Sequence, residues 1–498
     1  MIDMLLNGFH MVLTPGGILA CFIGVLVGTL VGVLPGVGPS GTMALMLPFT
    51  LSMDATLGII MLAGVYYGAQ YGGSTTSILV NVPGEASSVM TCLEGFQMAK
   101  RGRAGAALAV AAIGSWIAGT VGVIGLMLVG PLFAKWALAF GPPEIFAIMV
   151  LGFVVISNIA SKSPLKTTAM VLIGLMLGTV GQDPIQGVIR FTFGYAPALD
   201  GVAFIPVVMG LFGITEVMWS VLEADQGKTV AKVRFRDLYP TRAELRRSAA
   251  PIARGTVLGF LIGLIPGPSA VISTIVSYAM EKRLAKYPEE WGRGAIEGVA
   301  GPESANNATS SGALIPLLVV GLPFAPPTAV LLSGFMMKGV IPGPLLFAQH
   351  PEIFWGLIAS MYIGNVMLLV LNLPLVGVFA SLLKVKPYYL MPFVVLLCLI
   401  GSYSLNNSMF DVWVMVVMGV IGYFLRRHGF DAAPLVIGLV LGQVAERTFR
   451  QSLVMLHGSL LAVIERPVAA VTFLLAVLII VLPPVIRRLR TNPRSKEA

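Results

Sequence analysis

The chain contains 498 residues, of which 56% are hydrophobic and 11% are charged, and its mean hydropathy is +0.89. These values exclude a soluble enzyme and predict an all-α polytopic integral membrane protein, because apolar runs long enough to span the lipid bilayer recur along the chain. We expect about 10–12 membrane segments at this spacing. The net charge of +9 does not indicate nucleic acid as a partner, since Lys and Arg lie in short loops beside apolar runs.

The first apolar region is interrupted at residues 34–42 by the sequence LPGVGPSGT. Proline lacks the backbone N–H that a helix uses and glycine permits a positive φ, so together they can form a turn. Irregular backbone is tolerated at membrane depth only where protein covers it or where it lines a wet cavity. We therefore predict substrate-binding residues in this stretch: Pro35, Gly36, Gly38, Pro39 and Ser40.

Hydroxyl and amide side chains follow in the sequence GGSTTSILVN at residues 72–81. Such uncharged groups can bind a carboxylate or replace the water shell of a cation, and they also suit a helix N-terminus that attracts anions. The alternative is that these small residues only pack helices together. The predicted substrate-binding residues are Ser74, Thr75, Thr76 and Asn81. The acidic residues Asp54, Glu85 and Glu94 are expected at the membrane interface.

Apolar runs of spanning length continue after the basic group that ends at Arg103, near residues 104–130, 144–160, 165–182 and 203–222. Four crossings return the chain to the side it left, so the basic segment that follows should be cytoplasmic. The number of crossings after Arg427 stays open, with apolar stretches near 432–445, 452–464 and 467–486. The predicted divisions are a first inverted repeat (1–103), connecting transmembrane helices (104–222), a basic linker (223–250), a second inverted repeat (251–348) and C-terminal transmembrane helices (349–498).

A second break, IPGPS at residues 265–269, lies in an apolar run from 252 to 280. Basic residues flank this run at both ends, so a single crossing would put one basic flank outside the cell. We therefore predict a re-entrant hairpin whose arms are each about 14 residues, or about 21 Å, long. The alternative is a kink that only shapes packing. The predicted substrate-binding residues are Pro266, Gly267, Pro268 and Ser269.

A second polar group occurs in the sequence GPESANNATSSG at residues 301–312. Its predicted substrate-binding residues are Asn306, Asn307, Thr309 and Ser310. Glu303 precedes them, and an ionisable residue inside a membrane is costly enough to indicate a function. We predict that Glu303 binds a coupling cation or carries a proton, and the alternative is a carboxylate that caps a helix at the interface.

Three landmarks occur twice in the same order, which indicates two related halves of the kind found in secondary transporters. The pairs are LPGVGPS and IPGPS, GGSTTSILVNVP and NATSSGALIPLLVVGLP, and GFQMAK and GFMMK. Basic residues lie at the end of the first copy, from Lys100 to Arg103, but in the middle of the second copy, from Lys282 to Arg293. The positive-inside rule therefore predicts that the two copies lie in opposite orientations.

A metal centre and a catalytic serine are two other classes of site. Histidine and cysteine lack the spacing of metal ligands, so no metal site is predicted. The sequence GPSG at residues 38–41 is similar to the GxSG of rhomboid-type intramembrane serine proteases. That interpretation makes Ser40 a nucleophile and requires a histidine on a neighbouring helix, for which His457 is the candidate. A protease is therefore the alternative function.

Three stretches resemble the large membrane subunit of the tripartite tricarboxylate transporters: GVLPGVGPSGTMALMLPFT, YYGAQYGGSTTSILVNVPGE and GVAGPESANNATSSGALIPLLVVGLP. The resemblance covers nearly the whole chain. It implies a multi-pass permease of the bacterial inner membrane, and not an enzyme, that imports a tricarboxylate or related organic carboxylate. It also implies a Na⁺ or H⁺ gradient as the energy source, no cofactor, and two protein partners: a small membrane subunit and a periplasmic solute-binding protein.

The resemblance also assigns residues to the family's motifs. The glycine–proline motif falls on Pro35, Gly36, Gly38 and Pro39, and the acidic–asparagine motif falls on Glu303, Asn306 and Asn307. The chain departs from the family at residues 324–327, where Phe-Ala-Pro-Pro replaces small residues. We therefore expect the second pocket to differ in size and shape.

Overall fold

The computed structural model describes residues 2–34, 38–138, 140–158, 163–183, 186–223, 239–383, 387–459 and 465–490. The described chain is helical almost throughout, and its strands are the antiparallel pair β1 (Gly181–Gln182) and β2 (Ile189–Arg190). Four of the described helices are long and apolar enough to cross a membrane, and shorter apolar helices accompany them. The predicted all-α polytopic membrane protein is thus confirmed.

The first copy consists of α1 (Ile2–Val12), α2 (Pro15–Val33), α3 (Gly38–Thr50), α4 (Ala55–Val80) and α5 (Val89–Lys100). Asp54 caps the start of α4, since its carboxylate accepts the N–H of Thr56 at 2.9 Å. Asn81 ends α4 in the left-handed conformation, which asparagine tolerates. A 3₁₀ turn, Ala86–Ser88, then leads into α5.

The apolar runs between the copies form α6 (Ala104–Ala137), α7 (Pro142–Asn158), α8 (Pro164–Gly178), α9 (Phe204–Val208) and α10 (Thr215–Glu223). A π-helical stretch, Met209–Ile214, joins α9 to α10, so these pieces make one continuous segment. With 34 residues, α6 is about 51 Å long. It therefore exceeds the thickness of the hydrocarbon core, which is about 30 Å.

The second copy consists of α11 (Arg242–Gly263), α12 (Ser269–Arg283), α13 (Glu297–Val320) and α14 (Pro326–Met337). The helix α11 begins within the segment predicted as linker, because Thr241 and Glu244 form a capping box at its N-terminus. The predicted break lies between α11 and α12, where Gly267 has a φ of 123° that favours glycine.

The remaining helices are α15 (Leu346–Gln349), α16 (Pro351–Asn372), α17 (Val376–Leu382), α18 (Pro387–Asn406), α19 (Met409–Arg427), α20 (Ala433–Met455) and α21 (Pro467–Arg490). The single helix α20 covers the apolar stretch at 432–445 and the start of the next one. The helix α16 packs against α4 and α6, where Asn365 accepts the hydroxyl of Tyr71 and donates to the Trp116 carbonyl at 2.8 Å.

Glycines let α2 and α4 pack with their backbones in contact. A Cβ added at Gly28 would lie 2.6 Å from the carbonyl oxygen of Val65, and one added at Gly32 would lie 2.3 Å from that of Ala69. Both distances are too short for any side chain, so glycine is required where these backbones meet.

The helices α11 and α13 pack in the same way in the second copy. A Cβ added at Gly259 would lie 2.1 Å from the carbonyl oxygen of Ala305, and one at Gly263 would lie 2.6 Å from that of Thr309. Gly32 and Gly263 each precede the proline of their break by three residues, so the glycines also correspond in register. The shared packing supports two related halves, while their opposite orientation stays a prediction.

Candidate functional site

Polar side chains from both copies form a buried group where α4, α5 and α13 meet, and we call it the two-glutamate cluster. Its members are Gln70, Ser74, Glu85, Ser87, Thr91, Glu303 and Asn306, none of them more than 9% exposed. Hydrogen bonds connect these side chains across the copies. The cluster therefore joins elements that are more than 200 residues apart in the chain.

Glu303 lies in the second turn of α13 and is 1% exposed. The hydroxyl of Ser74 on α4 donates to its Oε2 at 2.5 Å, and the hydroxyl of Thr91 on α5 donates to its Oε1. Both donors are side chains of other helices, so the carboxylate does not cap α13. The structure thus places Glu303 at a contact between the two copies, while its role in coupling stays a prediction.

Glu85 is the second carboxylate of the cluster, and the sequence did not single it out as a site residue. It accepts the side-chain amide of Asn306 at 3.1 Å and the hydroxyl of Ser87. The loop after α4 folds back because Gly84 packs on the backbone of Gly73, with only 2.6 Å between its would-be Cβ and the Gly73 Cα. The Pro-Gly pair at residues 83–84 was the signal for this turn.

The two carboxylates belong to one buried group, because Asn306, which donates to Glu85, lies on the same helix as Glu303. Hydroxyl and amide groups hydrogen bond to them, and no cationic side chain interacts with Glu85 or Glu303 within the described ranges. A buried charge without a counter-charge is strongly unfavourable, by several kcal/mol per ion after relaxation. The arrangement is therefore suited to hold a proton or a small cation.

The other hydroxyl candidates of α4, Thr75 and Thr76, lie in its C-terminal turns. Thr76 donates to the Val33 carbonyl at the end of α2. Thr75 lies beside Ser74 and lines a small cavity. The polar run GGSTTS simply continues α4, so it does not form the helix N-terminus that would attract an anion. Asn81 is exposed at the C-terminal cap of α4.

The candidates on α13 lie in the interior of that helix and serve different contacts. Asn307 donates its side-chain amide to the hydroxyl of Ser115 on α6 at 2.7 Å. The Thr309 hydroxyl is 2.9 Å from the Gly259 carbonyl oxygen, so it lies at the contact of α11 and α13. Ser310 donates to the Asn307 carbonyl within its own helix at 2.7 Å. Of these candidates, Asn306 is the one that hydrogen bonds to a carboxylate of the cluster.

A hydrogen bond connects the second break to the non-helical stretch between α13 and α14. The N–H of Gly267 donates to the carbonyl oxygen of Phe324 at 2.8 Å, in the stretch between α13 and α14. Ser269 is buried and begins α12, and its N–H donates to the Gly267 carbonyl at 2.8 Å. Among the described contacts, no hydrogen bond connects residues 264–268 to the two-glutamate cluster. Phe324, where the chain departs from the family pattern, thus supports the turn.

The middle of the first break, residues 35–37 with Pro35 and Gly36, lies outside the described residues. Gly38 begins α3 with a φ of 64°, and Pro39 follows it in the first turn. Ser40 is buried, whereas His457 is exposed beyond the end of α20. No hydrogen bond joins these two side chains in the described part of the chain, so the structure offers the protease interpretation no support.

Comparisons with known proteins agree with the resemblance seen in the sequence. The model of the family described as "Tripartite tricarboxylate transporter TctA family" matches residues 18–437. An Agrobacterium vitis protein named "Uncharacterized 52.8 kDa protein in TAR-I ttuC' 3'region" is 45% identical over 495 residues, which are 98% of each chain. Another from the same organism, "Uncharacterized protein in TAR-II ttuC' 3'region", is 44% identical over 212 residues, or 43% of this chain and 88% of that protein. No solved structure matches the chain.

Proposed function

This chain belongs to the tripartite tricarboxylate transporter TctA family, and from that membership we propose that it is a secondary transporter that imports a tricarboxylate or related organic carboxylate. A Na⁺ or H⁺ gradient supplies the energy. The two-glutamate cluster is the observation that supports this proposal, because Glu85 and Glu303 are buried carboxylates with no cationic partner among the described residues. Intramembrane carboxylates of this kind occur where transporters bind cations or relay protons.

The negative charge of the cluster gives a reason why substrate binding would be coupled to the binding of a cation or proton. At an effective dielectric constant of about 20, two like charges about 5 Å apart repel each other by roughly 3 kcal/mol. An anionic substrate approaching Glu85 and Glu303 would therefore lose affinity by roughly a hundredfold unless a cation or proton had bound first. Substrate and cation thus bind together, as symport requires.

The family name indicates a system of three components. We propose that a periplasmic solute-binding protein delivers the carboxylate and that a small membrane subunit accompanies this permease in the bacterial inner membrane. The matching glycine contacts of α2 with α4 and of α11 with α13 support a further part of the proposal. In it, the two copies are inverted repeats that enclose the substrate from opposite faces of the membrane.

Uptake by proteoliposomes that contain all three components tests the proposal. Candidate organic acids are offered under imposed Na⁺ or H⁺ gradients, with wild type compared to Glu303→Gln and Glu85→Gln. Glutamine keeps hydrogen-bonding capacity but cannot bear charge, so we expect gradient-driven uptake to fall at least tenfold in each variant.

A matched control is Glu352→Gln, since the Glu352 side chain is 47% exposed and pairs with His350 at the surface. This variant should transport like wild type. If both cluster variants kept normal gradient-driven uptake, the cluster would have no part in coupling. If wild type transported no carboxylate under either gradient, the proposed function itself would be wrong.

A further inference from the structure

A small cavity lies between α4, α6 and α16, and Ser74 in its wall hydrogen bonds to Glu303. Its volume of about 10 Å³ has room for one particle of the size of a water molecule. Three small or apolar residues of α6 form one wall. The polar walls are Tyr71, Ser74, Thr75, Ser115 and Asn372, and all five side chains are buried.

One wall of the cavity carries an unsatisfied oxygen. Asn372 is 4% exposed, and its Oδ1 has no hydrogen-bond partner among the described residues. The amide nitrogen of the same side chain donates to the Leu368 carbonyl at 3.0 Å, which fixes the oxygen as the free atom. A buried acceptor without a partner is unfavourable, so a cation or a donor beside this oxygen would stabilise it.

Two of the hydroxyls in the wall direct their protons elsewhere. Ser74 donates to Oε2 of Glu303 at 2.5 Å, and Tyr71 donates to Oδ1 of Asn365. Each of these hydroxyl oxygens therefore keeps lone pairs that a cation can use. Ser74 also brings the cavity within one hydroxyl group of the Glu303 carboxylate, whose negative charge favours a cation there.

We propose that this cavity is a Na⁺ site. The hydroxyl oxygens and the amide oxygen of its walls suit a hard cation. The carboxylate of Glu303, which accepts the hydroxyl of Ser74, favours a positive charge there. No group of three His, Cys, Asp or Glu that could hold a multivalent metal occurs among the described residues. The proposal rests on the proposed transport function in one respect, since it makes Na⁺ rather than H⁺ the coupling cation.

Binding of Na⁺ to the purified protein is measured without transport. The thermal unfolding midpoint is followed in nanodiscs while NaCl replaces choline chloride at constant ionic strength, with KCl as a parallel series. A ligand that binds only the folded state raises the midpoint as its concentration increases. We expect Na⁺ to raise it and K⁺ to have much less effect.

The variants Asn372→Ala and Thr75→Val remove oxygens from the cavity wall. In each variant, the Na⁺ concentration that gives half of the maximal rise in the thermal midpoint should be at least tenfold higher than in wild type. The control is Asn7→Ala, because Asn7 is exposed on α1, and this variant should respond like wild type. Two cavity variants are used so that poor folding of one leaves the other to test the proposal.

Several outcomes would overturn the proposal. An equal effect of Na⁺ and K⁺, or an unchanged Na⁺ dependence in both cavity variants, would mean that the cavity holds only water. Carboxylate uptake driven by H⁺ alone, with no Na⁺ binding, would reject the Na⁺ site and leave the transporter proposal standing. Na⁺ binding that depends on Asn372 and Thr75, without any carboxylate uptake, would support the Na⁺ site and reject the transporter proposal.

Discussion

The side-chain amide of Asn306 donates to Oε1 of Glu85 over 3.1 Å, and this bond ties α13 to the loop that follows α4. The second donor to the same carboxylate is the hydroxyl of Ser87. Asn306 belongs to the second copy and Glu85 to the first, so the bond connects the related halves beside Glu303. Its loss should therefore affect both stability and coupling.

Replacement of Asn306 by Ala removes this bond and leaves Glu85 with a poorer set of donors. We expect the apparent free energy of unfolding in an SDS titration to fall by about 1–3 kcal/mol, since the lost bond involves a buried charged group. Gradient-driven uptake should fall at least tenfold. The exposed Asn7→Ala is the control, and equal results for the two variants would contradict the role assigned to Asn306.

The contact between α11 and α13 predicts that Gly259→Ala is strongly destabilising. The added Cβ would lie 2.1 Å from the Ala305 carbonyl oxygen, so the helix backbones must separate. Overpacking of this kind costs about 1–3 kcal/mol or more. The yield of monodisperse protein on size-exclusion chromatography and its thermal midpoint measure the effect.

Gly377→Ala is the matched control for this substitution. Gly377 lies in α17, and a Cβ there meets no atom within 4 Å. Alanine should then stabilise the helix by about 1 kcal/mol, because it has the higher helix propensity. Comparable losses in the two variants would show that the close approach of α11 to α13 does not limit stability.

The second break predicts that replacing Pro266 and Gly267 together by alanine impairs transport. Gly267 has a φ of 123°, which alanine rarely adopts, and its N–H would leave the Phe324 carbonyl if the turn became helix. We expect apparent substrate affinity in the uptake assay to fall at least tenfold. The control is Gly102→Ala, at a φ of 75° with open space around it. Equal affinity in wild type, the control and the double variant would mean that the break only kinks the helix and does not shape the substrate site.

Local signals predicted much of this architecture and one of the two carboxylates in the two-glutamate cluster. The break at Pro266 and Gly267 follows from backbone chemistry, and Glu303 stands out because a charge in an apolar helix is costly. Glu85 could not be found this way, since a residue after a helix end is normally assigned to a surface loop. Its burial depends on the packing of Gly84 against α2 and α4, which is a contact between distant segments.

Glu244, in the first turn of α11 outside the apolar part of that helix, predicts a pH dependence. Partial burial opposes ionisation, but hydrogen bonds from Arg103 and Thr241 outweigh it and hold the pKa of this carboxyl below its usual value. A lowered pKa contributes stability above the unfolded value near 4.5, and this contribution is lost as the pH falls through the folded pKa.

The variant Glu244→Gln isolates this contribution. We expect it to lower the thermal midpoint slightly at pH 7, by the equivalent of less than about 1 kcal/mol, because the Arg103 side chain is 41% exposed. The difference from wild type should shrink as the pH is lowered from 5 to 3, and also in 1 M salt. A difference that stayed constant from pH 7 to pH 3 would contradict the assigned interaction.

The last prediction concerns Glu94, which connects α5 of the first copy to the segment before α13. Its Oε1 accepts the hydroxyl of Tyr278 at 2.9 Å and the N–H of Gly292 at 2.7 Å. Its Oε2 accepts the N–H groups of Gly294 and Ala295 at 2.8 and 3.0 Å. The side chain is fully buried within the protein.

In Glu94→Gln, an amide nitrogen would replace one of these two acceptors. Whichever way the amide turns, at least one backbone N–H faces a donor, and a backbone N–H cannot reorient as a hydroxyl can. Each unsatisfied buried group costs about 1–3 kcal/mol, so we expect the apparent free energy of unfolding to fall by about 2–4 kcal/mol. The surface variant Glu352→Gln should change it by less than about 0.5 kcal/mol. If Glu94→Gln unfolded at the same SDS fraction as Glu352→Gln, the contact between the copies at Glu94 would not contribute to stability.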